Sequence, residues 1–179
     1  MILDHTTLAT PVGPIALFAD GDTLVGLEFA DALDRHDRLE RSLRREGAFE
    51  RRAHRDPAGA ATRLRRYFAG DLAALAEQAV RPRGTPFQLE VWNALRGIPA
   101  GVTWTYSQLA SHLERPQARR AVGAANGANP IALFIPCHRV IAADRTLWGY
   151  GGGLERKRWL LEHEGASFAD RSAQGALER

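Results

Sequence analysis

The stretch TYSQLASHLERPQARRAVGAANGANPIALFIPCHRV, residues 105–140, decides how the rest of the chain is read. Thr105-Tyr106-Ser107-Gln108 puts a threonine at a helix N-cap and a glutamine three residues on, the pattern of a capping box. A short helix should run from there through Leu113. Arg115-Pro116 breaks it, and Gln117 to Gly127 forms a second helix before Asn129-Pro130. Two short helices around a tight break resemble a helix-turn-helix, a signal that many helical hairpins share. The apolar run Ile131 to Ile135 then reads as a buried strand-like segment ending at Pro136-Cys137-His138-Arg139-Val140.

Upstream, Thr85-Pro86-Phe87-Gln88 opens another helix, with proline at its first position and Phe87, Val91, Trp92 and Leu95 on one face. Arg81-Pro82-Arg83-Gly84 reads as a linker. Before it, apolar runs at 6–10, 15–19 and 24–29, separated by Pro11-Val12-Gly13-Pro14 and Asp20-Gly21-Asp22, predict three strands joined by hairpins. Residues 31–56 mix Arg, Asp and Glu around a few leucines and read as a solvated helix and loop. Ala60 to Phe68 gives a helix stopped by Gly70. The expected division is 1–80, 81–168 and a C-terminal tail, 169–179. At ~150 residues per domain, 179 residues make one domain or two small ones.

A chain with 45% hydrophobic and 25% charged residues is neither disordered nor fibrous. No apolar run approaches the ~20 residues of a membrane helix, and Met1 to His5 opens no signal peptide, so a soluble, cytoplasmic protein is expected. Cys137 is the only cysteine, which excludes a disulfide scaffold and a zinc site built on several thiolates. Residues 1–80 carry 11 basic and 13 acidic side chains, while residues 81–179 carry 13 and 8, so the second part has a surplus of +5. That asymmetry suggests a polyanionic partner, although compositional drift accounts for it equally well. Lys157 is the one lysine among 24 cations, a bias read as compositional.

From Ala121 the last helix of the quoted stretch reads Ala-Val-Gly-Ala-Ala-Asn-Gly-Ala, with Arg119 and Arg120 at its start. Helices that read major-groove base edges project long polar side chains. One with so little bulk suits a narrow groove with an arginine as its probe, or close packing on another helix. A lone buried cysteine is more often a small hydrophobe than a nucleophile. The adjacent His138 changes that balance, and Glu164 supplies a carboxylate able to orient the imidazole. A cysteine protease stays open on these residues alone, but protease signatures place their histidine far from the cysteine in sequence.

Pro136-Cys137-His138-Arg139-Val140 resembles the active-site motif of the O6-alkylguanine–DNA alkyltransferases. The similarity extends from about Gly84 to Gly165. It takes in Phe87 to Trp92, Thr105 to Ala110, Arg120 to Ala125, Asn129-Pro130, Gly149 to Gly153 and Trp159 to Gly165. The resemblance implies an α/β (α+β) fold: a small ribonuclease-H-like N-terminal sheet domain, and a mainly helical C-terminal domain with a winged-helix-like helix-turn-helix. It implies a monomer that binds the minor groove of double-stranded DNA and flips O6-alkylguanine, and O4-alkylthymine too, out of the stack. Cys137 would take the alkyl group in one irreversible turnover, without a cofactor or metal. His138 acts through a water as base, Glu164 orients it, and Tyr106 protonates the departing guanine. Arg120 would fill the vacated stack, with Ala121 and Gly123 along the same helix at the DNA. Asn129 would be the hinge, Tyr150 and Gly151 the loop closing over the base, and the Cys137 and Val140 carbonyls acceptors for its amine. Gly151 stands where some members have serine, and Trp148 is a bulky neighbour able to narrow the pocket. A lesion-binding protein without chemistry and a DNA-binding regulator are the competing readings.

Overall fold

The computed structural model describes residues 1–32 and 48–169. Most of the charged 31–56 segment and nearly all of the 169–179 tail fall outside the described residues. The chain divides into two compact units. One is Met1–Thr85 with Asn129–Ile135; the other is Pro86–Ala128 with Pro136 onward.

In the first unit, β1 (Ile2–Leu8), β2 (Ile15–Asp20), β3 (Thr23–Phe29) and β4 (Glu50–Ala53) form a sheet of order β3-β2-β1-β4. The three expected hairpin strands pair antiparallel, with Gly13 and Gly21 at positive φ in the turns. β4 was not foreseen: it joins β1 in parallel from the segment read as helix and loop. All four of its residues are exposed, so no alternation of apolar side chains marks it; only the edge of β1 selects it. Arg52 ties it to Asp4 of β1 at 2.6 Å. β2, the run Ile-Ala-Leu-Phe-Ala, is buried along both faces, as befits an interior strand. Leu3, Ala16, Phe18 and Val25 make a core cluster beneath Ala30 and Phe49. α1 (Ala60–Phe68) buries Leu64 and Tyr67.

The outer edge of β3 is covered by irregular chain. Leu24 pairs with residues 79–81, and the Leu27 amide donates to Pro130 O at 2.9 Å. The run 131–135 is buried as expected but is a tight turn rather than a strand. Leu133 sits at φ +68°, and Asn129 closes the turn from both ends, its Nδ2 on Ile135 O and its Oδ1 on the Ile131 amide.

The second unit is helical: α2 (Pro86–Arg96), α3 (Tyr106–His112), α4 (Arg119–Gly127) and α5 (Leu154–His163). The capping box at α3 forms as read, Thr105 Oγ1 accepting from the Gln108 amide and Gln108 Oε1 from the Thr105 amide. A 3₁₀ turn, Pro116–Ala118, leads into α4. The small residues of α4 let α2 approach closely enough for Trp92 Nε1 to donate to Ala125 O at 2.8 Å. A two-residue parallel ladder joins β5 (Trp104–Thr105) to β6 (Val140–Ile141) and sets the segment after Cys137 beside the start of α3. No helix among the described residues is long and apolar enough to cross a membrane.

Candidate active site

Pro136 precedes a single 3₁₀ turn, Cys137–Arg139, that feeds straight into β6. The turn presents three consecutive side chains to the interior: Cys137 is 5% exposed, His138 0% and Arg139 8%. α5 ends opposite them. Its cap residue Glu164 is buried, and its carboxylate takes both neighbours at once. His138 Nε2 lies 2.9 Å from Oε1, while Arg139 Nε and Nη2 donate to Oε2 and Oε1 at 2.9 and 2.8 Å. Arg139 is itself held by Ile98 O at 2.5 Å.

The electrostatics follow from this arrangement. Burial opposes ionisation of Glu164, but the hydrogen bonds and charges of His138 and Arg139 more than offset it and hold the carboxyl far below its usual range. Glu164 is therefore an anion and can only accept, which makes the His138 Nε2 the N–H of the neutral ring. Burial keeps the imidazole neutral, lowering its pKa despite Glu164. Nδ1 is then the basic nitrogen, and it makes no hydrogen bond to any described residue. Gly101 adds a constraint: it lies at φ +79°, and a Cβ there would stand 3.0 Å from Glu164 O.

Tyr106 and Lys157 approach Cys137 from α3 and α5. Burial first, and negative charge on Cys137 second, push the Tyr106 phenol up to about 12, so it remains a donor. Its hydroxyl donates to Trp148 O at 3.4 Å. Lys157 is fully buried and donates to Val140 O at 2.6 Å, Trp148 O at 2.8 Å and Gly149 O at 3.5 Å. Burial lowers it to about 8, the Cys137 charge acting in the opposite direction. A neutral or anionic sulfur thus shares its surroundings with an imidazole base, a phenol donor and a buried ammonium. That set suits nucleophilic attack with protonation of a leaving group.

Residues 86–166 match the model of the 6-O-methylguanine DNA methyltransferase DNA-binding domain, and residues 3–79 that of the ribonuclease-like domain of the same proteins. The chain belongs to this methyltransferase family. A methylated-DNA–protein-cysteine methyltransferase of Salmonella typhimurium is 48% identical over 88% of the chain and 93% of that protein. The homologous methyltransferase of Mycobacterium bovis is 42% identical over 91% and 93%. The crystal structure of the Mycobacterium tuberculosis O6-methylguanine methyltransferase superposes with a TM-score of 0.75 at 38% identity, covering 96% of this chain and 99% of that one. A second structure of the M. tuberculosis protein, in complex with DNA, gives 0.74 at 39% identity, covering 92% and 93%. The α+β fold, with its ribonuclease-like sheet and helical DNA-binding part, is that of this methyltransferase family.

Within the second unit the fold brings Cys137, His138, Glu164, Tyr106 and Val140 together. Arg120 and Ala121 are exposed at the start of α4, and Arg120 makes no ion pair among the described residues. Gly123 faces inward instead, a Cβ there lying 3.7 Å from the Tyr106 ring. Tyr150 and Gly151 are half-buried on the loop pinned by Lys157, and the Val140 carbonyl already accepts from that lysine. Trp148 is 69% exposed, so its ring does not plug an interior cavity. Asn129 lies in the tight turn of the first unit. Sequence reading passed over three residues here: Arg139, Lys157 and Asn126, whose Nδ2 donates to Cys137 O.

Proposed function

We propose that this protein repairs DNA by direct reversal, moving the alkyl group of O6-alkylguanine onto Cys137. The observation that carries the reading is the buried Cys137-His138-Glu164 arrangement, in which Glu164 holds Nε2–H and leaves Nδ1 as base. The relatives named above bear this activity in their names. His138 takes the thiol proton, Glu164 stabilises the imidazolium, and the thiolate displaces guanine from the alkyl carbon. The departing oxygen or ring nitrogen takes a proton from Tyr106, whose raised pKa keeps it in the donor form. The thioether left on Cys137 faces no group among the described residues able to cleave it, so each molecule acts once, and none of these steps calls on a cofactor.

The same reading gives the remaining residues their roles. Double-stranded DNA meets the helix-turn-helix through its minor groove, with Ala121 and Gly123 on the helix that comes closest. Arg120 replaces the flipped base, Asn129 acts as hinge, and Tyr150, Gly151 and the Val140 carbonyl contact the lesion. O4-alkylthymine is a second substrate, and the protein works as a cytoplasmic monomer. The functional division remains 1–80, 81–168 and 169–179.

Mass spectrometry of the intact protein after incubation with duplex DNA carrying O6-methylguanine tests the core of this. One methyl-sized increment on wild type, none on Cys137→Ser, and retained lesion binding by that variant are expected. An increment located on any residue other than Cys137, or none at all, overturns it. A protein that only binds lesions gives no increment, and a sequence-specific regulator shows no preference for the lesion.

A further inference from the structure

Asn126 is 3% exposed in the last turn of α4, a helix otherwise built of small apolar residues after its two arginines. Its Nδ2 donates to Cys137 O at 3.4 Å, while its Oδ1 is buried with no hydrogen-bond partner among the described residues. A buried acceptor left unpaired is costly, and native proteins seldom keep one without a use. A second orphan lies one residue from the same carbonyl: His138 Nδ1, an acceptor because Glu164 holds Nε2–H. Two unpaired buried acceptors, one on the amide that holds the Cys137 carbonyl and one on the residue next to Cys137, call for a ligand that brings two hydrogens and accepts a third. A water molecule has that valence.

We propose that Asn126 is a positioning residue for the thiol, Nδ2 fixing the Cys137 main chain while Oδ1 and His138 Nδ1 together hold the water that carries the thiol proton. This rests on the alkyltransferase reading of the site. The water takes the S–H proton as it gives one of its own to Nδ1, leaving a thiolate, an imidazolium and the same water. Its second hydrogen stays on Asn126 Oδ1, which remains neutral throughout. The titratable and charged groups around this pair are Glu164, Arg139 and Lys157 facing His138, and Tyr106 and Lys157 facing Cys137. None lies on α4, so replacing Asn126 leaves the charges of the site unchanged.

The test uses the full chain with Asn126→Ala and Asn126→Ser. Methyl transfer from duplex O6-methylguanine and iodoacetamide alkylation of Cys137, the only cysteine, are each followed against pH, with thermal midpoints alongside. Asn126→Ala should slow transfer on the order of 10-fold or more, a share of the ~10²–10⁴-fold that a general base contributes. It should also move the iodoacetamide profile to higher pH. Asn126→Ser, with a shorter acceptor, should fall between Ala and wild type in both assays. Profiles that superimpose on wild type overturn the proposal whatever the thermal midpoint does. If Asn126→Ala does not fold, a folded Asn126→Ser with wild-type profiles overturns it equally. Wild type that transfers no methyl group sinks the alkyltransferase reading instead, and the iodoacetamide profiles still show whether Asn126 acts on the thiol.

Discussion

Glu164 bonds Arg139 through both oxygens and His138 through one, all three buried, so its charge is matched only by what lies inside the fold. Removing one member of a buried ion pair costs about 3–5 kcal/mol because the other charge stays desolvated. Glu164→Gln should therefore unfold at clearly lower denaturant as well as slow alkyl transfer. Acid should act on the wild type through the same groups. His138 and Glu164 both have lower pKa values folded than unfolded, so the unfolded chain binds more protons. The stability from His138 is present above its ordinary 6.5 and is lost as pH falls below it. That from Glu164 is lost below 4.5, and this second loss should vanish in Glu164→Gln on an acid-unfolding series. Lys157 behaves in the opposite range. Its pKa drops from 10.5 to about 8 on folding, so stability should rise with pH above about 8, a rise that Lys157→Met lacks. In a chain that uses arginine everywhere else, lysine here lets one compact ammonium direct its three donors at three carbonyls, a convergence that a planar guanidinium fork does not match. That exception was visible in the sequence, but nothing in the sequence said which carbonyls it served.

At the level of elements, the turn between α3 and α4 carries a strained residue. Leu113 caps α3, and Glu114 follows at φ +56°. The Arg115 amide reaches Ala110 O and the Glu114 amide reaches Ser111 O, both at 2.9 Å, which is a Schellman ending. Glycine is the usual occupant of that left-handed position, and an L side chain there costs about 1–2 kcal/mol. Glu114 is exposed and contributes no buried contact, so Glu114→Gly should raise the thermal midpoint by about 2–4 °C per kcal/mol recovered. Calorimetry showing no gain would mean that the flexibility glycine adds to the unfolded chain cancels the relief. The capping box at Thr105 was legible because it is written within four residues. β4 was not, because an exposed edge strand of Glu-Arg-Arg-Ala has no pattern of its own. The turn at 131–135 was misread for a related reason: an apolar run signals burial in either form, and the left-handed Leu133 with its Asn129 clamp settles which.

For the molecule as a whole, the proposed function requires a duplex to reach the exposed start of α4 and a base to leave its stack. Arg120→Ala should slow repair of duplex DNA far more than transfer from a free alkylguanine base, since only the first reaction pays a few kcal/mol for unstacking. Equal losses on both would make Arg120 structural. Binding to undamaged duplexes should be salt-dependent and nearly indifferent to sequence, each neutralised phosphate adding roughly −0.9 to the slope of log K against log salt. Titrations on two unrelated duplexes at several salt concentrations check this, and a strong preference for one sequence argues for a regulator instead. By itself, the sequence determined the family motif around Cys137, the two short helices about a tight break with their capping box, and the three hairpin strands, because each is written in adjacent residues or in a short period. Only the tertiary structure decided that Arg139 neutralises the carboxylate bonded to His138, that Lys157 pins the Trp148-Gly149 loop, that Asn126 reaches the Cys137 carbonyl and that the turn at 131–135 completes the first unit. Those contacts join residues 8 to 41 positions apart, or add an unpatterned segment to a sheet edge, and burial rather than local pattern selects them.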